Sequence, residues 1–268
     1  MKAIFGIFAV TILLGSCGKR NDSLFVGAGE SAFSEAFFND LADQFQSANA
    51  KIEGGSTVSF QGACASITIT PFDSTTWPKT MVIDFGTTGC VDLRGNLHKG
   101  KLNCVISAPW KLAGSTVVIT PENYSVNGYG VEGTKTLINK GRNSNGNRMD
   151  SVYVRNGVIT HPDGKTSTWE SDRLRTQIAG EATAFPNYGD DVFSISGVGS
   201  GENTSGSAFS LSTTRDLVVA LNCRWVQDGA LMVKNAAGDS AVVDYGTTGC
   251  DQDATVLYKG RTYSITLK

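Results

Sequence analysis

The sequence predicts an all-β protein of long antiparallel strands, meander- or sandwich-like, preceded by one amphipathic helix. Three observations carry this. Apolar and polar residues alternate in many short runs after residue 57, turn dipeptides fall between those runs, and the one stretch of helical period lies near the N-terminus. Composition agrees: 31 glycines and 6 prolines among many Thr, Ser and Val favour strands joined by turns over a helical bundle.

The chain opens Met1-Lys2, is apolar over residues 3–14, and reaches the small pair Gly15-Ser16. A basic start, a short apolar run and small residues before a cleavage point describe an export signal over residues 1–16. The apolar run is about half the roughly 20 residues a bilayer span requires. Cys17 follows at once, and Leu14-Gly15-Ser16-Cys17 resembles the lipobox of bacterial lipoproteins, whose cysteine is acylated. Cys17 is therefore expected to be the lipid-bearing N-terminus of a protein anchored to a membrane. Several acyl chains hold firmly, at about 0.8 kcal/mol per buried methylene. The outer membrane is the expected site, with the protein facing the periplasm or the exterior. Losing Lys2 with the signal takes the net charge from −2 to −3, which offers no electrostatic footprint for nucleic acid.

Residues 17–30 read as a lipidated tether. Phe33, Phe37, Phe38, Leu41 and Phe45 then recur at helical spacing and predict an amphipathic helix over residues 31–50, packed against the sheet. Period two begins near Thr57. It is clear at residues 66–70, 81–85, 116–120 and 152–154. Asn156-Gly157, between Val152-Tyr153-Val154 and Val158-Ile159, predicts a tight hairpin turn. Asn127-Gly128 and Pro162-Asp163-Gly164 predict further turns. Residues 139–148 read as a long exposed loop, and the Gly/Ser tract 197–207 as a flexible loop or a domain boundary. Two β modules result, residues 57–200 and 208–268.

The strongest internal signal is a duplication. Met81-Val82-Ile83-Asp84-Phe85-Gly86-Thr87-Thr88-Gly89-Cys90 returns as Ala241-Val242-Val243-Asp244-Tyr245-Gly246-Thr247-Thr248-Gly249-Cys250. The register continues without a gap, matching Leu97, Lys99 and Gly100 to Leu257, Lys259 and Gly260, and residues 101–107 to 261–267. Cys64 precedes Cys90 by 26 residues, and Cys223 precedes Cys250 by 27. The duplication therefore predicts two equivalent disulfides, Cys64–Cys90 and Cys223–Cys250, each stabilising by about 3 kcal/mol. Cys104 aligns with Ser264 and is the odd, buried thiol.

Chemistry is hard to find. Asp84-Phe85-Gly86 lacks every other kinase element, and the second copy reads Asp-Tyr-Gly. The aspartic-protease Asp-Thr-Gly is interrupted in both copies. Asp84 and Asp244 are read as caps of turn amides. Asp92, Asp251 and Asp253 are weak calcium candidates beside a turn. Only two histidines occur, His98 and His161, and no nucleophile elbow, zinc spacing or phosphate loop. Neither a catalytic residue nor a cofactor is expected. Trp110, Trp169 and Trp225 could stack on sugars, although core positions are the commoner use. The Asp-Ser-x segments at Asp22, Asp73, Asp150 and Asp239 look like acceptors for O-glycosylation of exported Bacteroidota proteins, or like plain turns.

Over nearly the whole mature length the chain resembles a family of Bacteroidota lipoproteins. The likeness rests on Ser16-Cys17, Phe37-Phe38-Asn39-Asp40, the duplicated V-x-D-[FY]-G-T-T-G-C segment, and Lys99-Gly100. It continues through Val126-Asn127-Gly128, Val131-Glu132-Gly133-Thr134, Asp163-Gly164-Lys165 and Trp169-Glu170, and closes with Tyr263-Ser264-Ile265-Thr266-Leu267. That family has no assigned activity, so the resemblance implies location and fold and leaves chemistry open. The expected function is a non-catalytic envelope protein that binds a glycan or an envelope protein through a sheet face or edge. The alternatives are a structural spacer and a cell-surface hydrolase, the latter requiring carboxylates that converge in a cleft.

Overall fold

A computed structural model describes residues 23–53, 65–92, 95–182, 190–223, 225–247 and 249–266. One helix, α1 (Ser23–Glu53), precedes thirteen strands: β1 (Ser66–Thr70), β2 (Lys79–Val91), β3 (Leu97–Ile106), β4 (Thr116–Val126), β5 (Tyr129–Arg142), β6 (Arg148–Thr160), β7 (Thr166–Ala179), β8 (Val192–Glu202), β9 (Ala208–Ala220), β10 (Asp228–Asn235), β11 (Ser240–Asp244), β12 (Asp253–Tyr258) and β13 (Arg261–Thr266). They form a single antiparallel sheet in chain order, β1 to β13. The predicted all-β class with one N-terminal helix is the observed one. Between sandwich and extended sheet, the answer is one open meander.

α1 runs along β5. The Phe37 ring lies 5.2 Å from Tyr129 at the start of that strand. Farther on, Phe45 meets Trp110 at 6.1 Å, and the Trp110 carbonyl accepts from Asn139 near the end of β5. The helix nonetheless touches strands from β2 to β11. Laid flat, that span would be about 43 Å at about 4.8 Å per strand step, against a helix about 10 Å wide. The sheet therefore curves around α1, which fills its concave face. Phe38, Leu41 and Phe45 are fully enclosed there with Met81, Ile83, Leu102, Ile119, Leu137 and Ile159. The helix also extends over residues 23–30, which sequence reasoning gave to the tether.

Three predicted breaks turn out to be strand, one wholly and two in part. Asn156-Gly157 is a bulge inside β6, with Asn156 at φ 53° and a register shift on the β7 side. The segments flanking it pair outward with β5 and β7 instead of with each other. The reason is packing: a Cβ on Gly157 would sit 2.8 Å from the Phe38 ring and 2.4 Å from the Trp169 carbonyl, so the bare backbone slides under α1. The loop expected at 139–148 shrinks to residues 143–147, and Asn139 is buried. Residues 197–202 of the Gly/Ser tract are the second half of β8, paired to both β7 and β9, and residues 203–207 form the turn between β8 and β9. Glycine is needed there because the Trp169 ring would approach a Cβ on Gly199 to 2.9 Å. No gap in pairing separates residues 57–200 from 208–268, since β8 joins β9 across that point.

The duplicated segments begin alike and then diverge. Met81, Ile83 and Phe85 face the core from β2, as Ala241, Val243 and Tyr245 do in the β11 copy. Asp84 and Asp244 each accept the amide two residues on, Gly86 and Gly246, at 2.8 Å. After that, Asp84 pairs with Lys101, whereas Asp244 pairs with Thr255. Where the first copy has the turn residues Gly95-Asn96, the second has Thr255-Val256, which extend as β12. The apolar phase also differs: Leu102, Cys104 and Ile106 align with Thr262, Ser264 and Thr266. Carrying the first register into the second copy would turn hydroxyls into the core. Instead Lys259-Gly260, both at positive φ, closes a hairpin and returns the chain as β13. The expected correspondence of residues 101–107 with 261–267 thus holds in sequence and fails in pairing.

Cys223 and Cys250 are joined across the β9–β10 and β11–β12 connections. Cys90 is disulfide-bonded as well. Cys64, its predicted partner, and Cys17 lie outside the described residues. Cys104 is free and buried, with its thiol pushed up to about 12 by desolvation.

Gly157→Ala should destabilise by about 1–3 kcal/mol through the forced shift of Phe38. Gly86→Ala, whose Cβ meets nothing within 4 Å, should cost only the left-handed backbone term of about 1 kcal/mol. Denaturant midpoints of the two variants separate these cases.

Candidate functional site

The middle strand of the sheet carries its polarity inside out. On β7 the side chains turned to α1 are Ser167, Trp169, Ser171, Arg173, Arg175 and Gln177, all buried, while Leu174 (41% exposed) and Ile178 (45%) face outward. A one-residue slip would bury the two aliphatics. It does not occur because α1 supplies partners for the inward polar set. Glu35 accepts from Arg173 Nη2 at 2.6 Å. Asp150 on β6 accepts from Arg175 Nε and Nη2 at 3.2 and 2.7 Å. With its amide oxygen turned inward, Gln46 accepts from Arg175 Nη2 and Nη1 at 2.8 and 3.0 Å. Lys135 on β5 donates to the Phe38 carbonyl at 2.5 Å and to Asn39 Oδ1 at 3.4 Å. Burial pulls its ammonium down to about 8.

A second polar chain ties the other flank of the helix. Tyr124 on β4 donates to Asp40 at 2.6 Å, His98 on β3 meets the Tyr124 hydroxyl at 2.8 Å through Nδ1, and its Nε2 meets Asp92 at 3.0 Å. Burial first, then the Asp40 charge, holds the Tyr124 phenol well above its ordinary range. The order carboxylate–imidazole–hydroxyl is triad-like. The hydroxyl here is a phenol held by a second carboxylate, so this chain positions the helix and presents no nucleophile.

The outer face carries a groove. Small residues on β8 and β9, namely Gly199, Ser200, Ser210 and Ser212, lie low between longer side chains on β6–β7 and β10. The result is a groove of about 390 Å³ with Arg155 and Asp172 on one wall and Met232 and Lys234 on the other. Val198, 52% exposed, lies in it. Arg155 is ion-paired to both Asp172 and Glu170, and Glu170 also accepts the Asn156 amide at 2.6 Å.

The sequence candidates are placed as follows. Trp110 and Trp169 are core residues, so they form no sugar platform, and Trp225 is half-buried in the β9–β10 connection. Asp92 accepts the Asn96 amide at 2.8 Å as well as meeting His98. Asp251 accepts the Asp253 amide at 2.9 Å. Asp92 sits in one turn and Asp251 with Asp253 in another, and no described group of three ligands could hold a metal ion. Asp84 pairs with Lys101 at 3.2 Å and Asp244 with Arg215 at 2.8 Å. Asp150 is a buried ion-pair residue inside β6, so its Asp-Ser-x segment lies on a strand; Ser74 and Ser240 are exposed. Sequence reasoning missed both the charged interior and the groove. The signal for the first was the phase of Arg173, Arg175 and Gln177 against Trp169. The signal for the second was serine alternating with glycine and apolar residues through residues 194–212.

No known protein family, curated protein or solved structure matches the chain.

Removing one member of a buried ion pair typically costs about 3–5 kcal/mol, whereas replacing both with apolar groups costs far less. Glu35→Leu should therefore lower unfolding free energy by about 3–5 kcal/mol, and Glu35→Leu with Arg173→Leu should recover most of that loss. Chemical denaturation of the four species measures the coupling.

Proposed function

We propose that this chain is an exported lipoprotein, held at the outer membrane by acylated Cys17, that serves as a non-catalytic binding or structural protein of the cell envelope, with a glycan or an envelope protein as partner. The anchor half rests on Leu14-Gly15-Ser16-Cys17 after a short apolar run. It is compatible with α1 beginning six positions after Cys17, which would keep the sheet near the membrane surface. No described helix is long and apolar enough to cross a membrane.

The observation that carries the binding half is the outer groove. Its volume of about 390 Å³ falls in the range of small-ligand sites, about 300–1,000 Å³. Hydroxyls of Ser200, Ser210 and Ser212 with charged walls suit a polyhydroxylated ligand, and Val198 and Met232 offer apolar contact for a ring face. The hydrolase alternative asks for two carboxylates that converge from different sides. Here Glu170 and Asp172 share one strand face and one arginine, so they do not converge from different sides.

Full chain in detergent, screened on an envelope glycan array and then titrated by calorimetry, should bind a glycan that Ser200→Tyr excludes by filling the groove. Cys17→Ser should leave the protein in the soluble fraction of cells. Binding unchanged by Ser200→Tyr, or acylation surviving Cys17→Ser, would overturn the corresponding half.

A further inference from the structure

The interior beneath α1 is unbalanced in charge. Lys135, Arg173 and Arg175 line a cavity of about 20 Å³, and among the described residues Glu35 is the one carboxylate lining it with them. Asp150 neutralises Arg175 through two hydrogen bonds. Glu35 takes a single bond, from Arg173 Nη2. Lys135 meets only uncharged acceptors, and Arg173 Nε and Nη1 have no acceptor at all. Glu35 first and then Asp43 act on Lys135 through their charge, Glu35 while bonded to Arg173 and Asp43 from the half-buried flank of α1, outside the cavity lining.

An enclosed cation without a counter-charge costs several kcal/mol even after relaxation. The depressed ammonium of Lys135 is one expression of that cost. A second way to meet it is a bound ion. A site needs only about 10–15 Å³ to hold one water, so about 20 Å³ leaves room for one small occupant. Water there would satisfy hydrogen bonds and leave the charge uncompensated. By contrast, the Asp92–His98–Tyr124–Asp40 chain satisfies itself within the protein.

We propose that this cavity binds one halide-sized monoanion, chloride by abundance, between Arg173 and Lys135, and that the ion is the counter-charge with which α1 seats on the polar face of β7. The site lies on the face opposite the outer groove and does not depend on what that groove takes.

Thermal unfolding of the full chain in detergent, in sodium chloride against sodium gluconate at equal ionic strength, tests it. Chloride should raise the midpoint saturably, by about 3–5 °C per tenfold increase above its dissociation constant. Bromide should act likewise. Lys135→Met, which removes the surplus cation, should abolish the difference between salts. Crystals grown in bromide should show an anomalous peak in contact with Arg173 and Lys135, a readout that stands even if the variant does not fold. Equal midpoints in chloride and gluconate would overturn the proposal, with or without a bromide peak. So would undiminished halide dependence in folded Lys135→Met, or a water in the cavity of bromide crystals.

Discussion

Everything in this structure answers to one constraint: a helix must be enclosed by a sheet whose central strand offers it charge. A strand buried on one face normally presents apolar side chains there. β7 presents Arg173, Arg175 and Gln177 to α1, and keeps Leu174 and Ile178 outside. Such a register survives only where each buried charge finds a partner. Glu35 and Gln46 come from the helix and Asp150 from the next strand. The apolar contribution comes from Phe38, Leu41 and Phe45, which share one core cluster with inward residues of both flanks of the sheet, Met81 and Ile119 on one side and Leu231 and Val243 on the other. α1 is thus part of the core, and the sheet has no closed interior without it.

Glycine makes that enclosure possible. Gly157 lets β6 pass beneath the Phe38 ring, and Gly199 lets β8 lie against Trp169. The second device has an effect on the opposite face. The same run of small residues that admits the indole leaves a low floor on the outside, flanked by Arg155 and Lys234, which is the groove. Inner packing and outer surface are two results of one Gly/Ser pattern.

The class of fold, the helix and most strands were legible in the sequence, because alternation and a helical period are local signals. Asn127-Gly128 is the turn its dipeptide predicts, and Asn156-Gly157 is a bulge instead, although the dipeptide is identical. What distinguishes them is a tertiary contact, the approach of Phe38, which no local pattern contains. The duplication likewise pointed to equivalent modules. The loss of Gly95-Asn96 in the second copy and the shifted apolar phase after Gly260 were visible in the alignment, and they decide the pairing. The site was least legible. Arg173 and Arg175 alternate with Leu174 as readily for an exposed arginine face as for a buried one. Their phase with Trp169 is the one local sign of burial, and the helix, placed by distant contacts such as Asp40 with Tyr124, selects it.

If α1 is core, its backbone should open only when the sheet does. Native-state amide hydrogen exchange measures this directly, since local and global opening differ in free energy. Amides of residues 38–48 should exchange with the same opening free energy as those of β5 and β7. A helix that exchanges far faster than those strands, while they remain protected, would contradict the account and show α1 to be a separable lid.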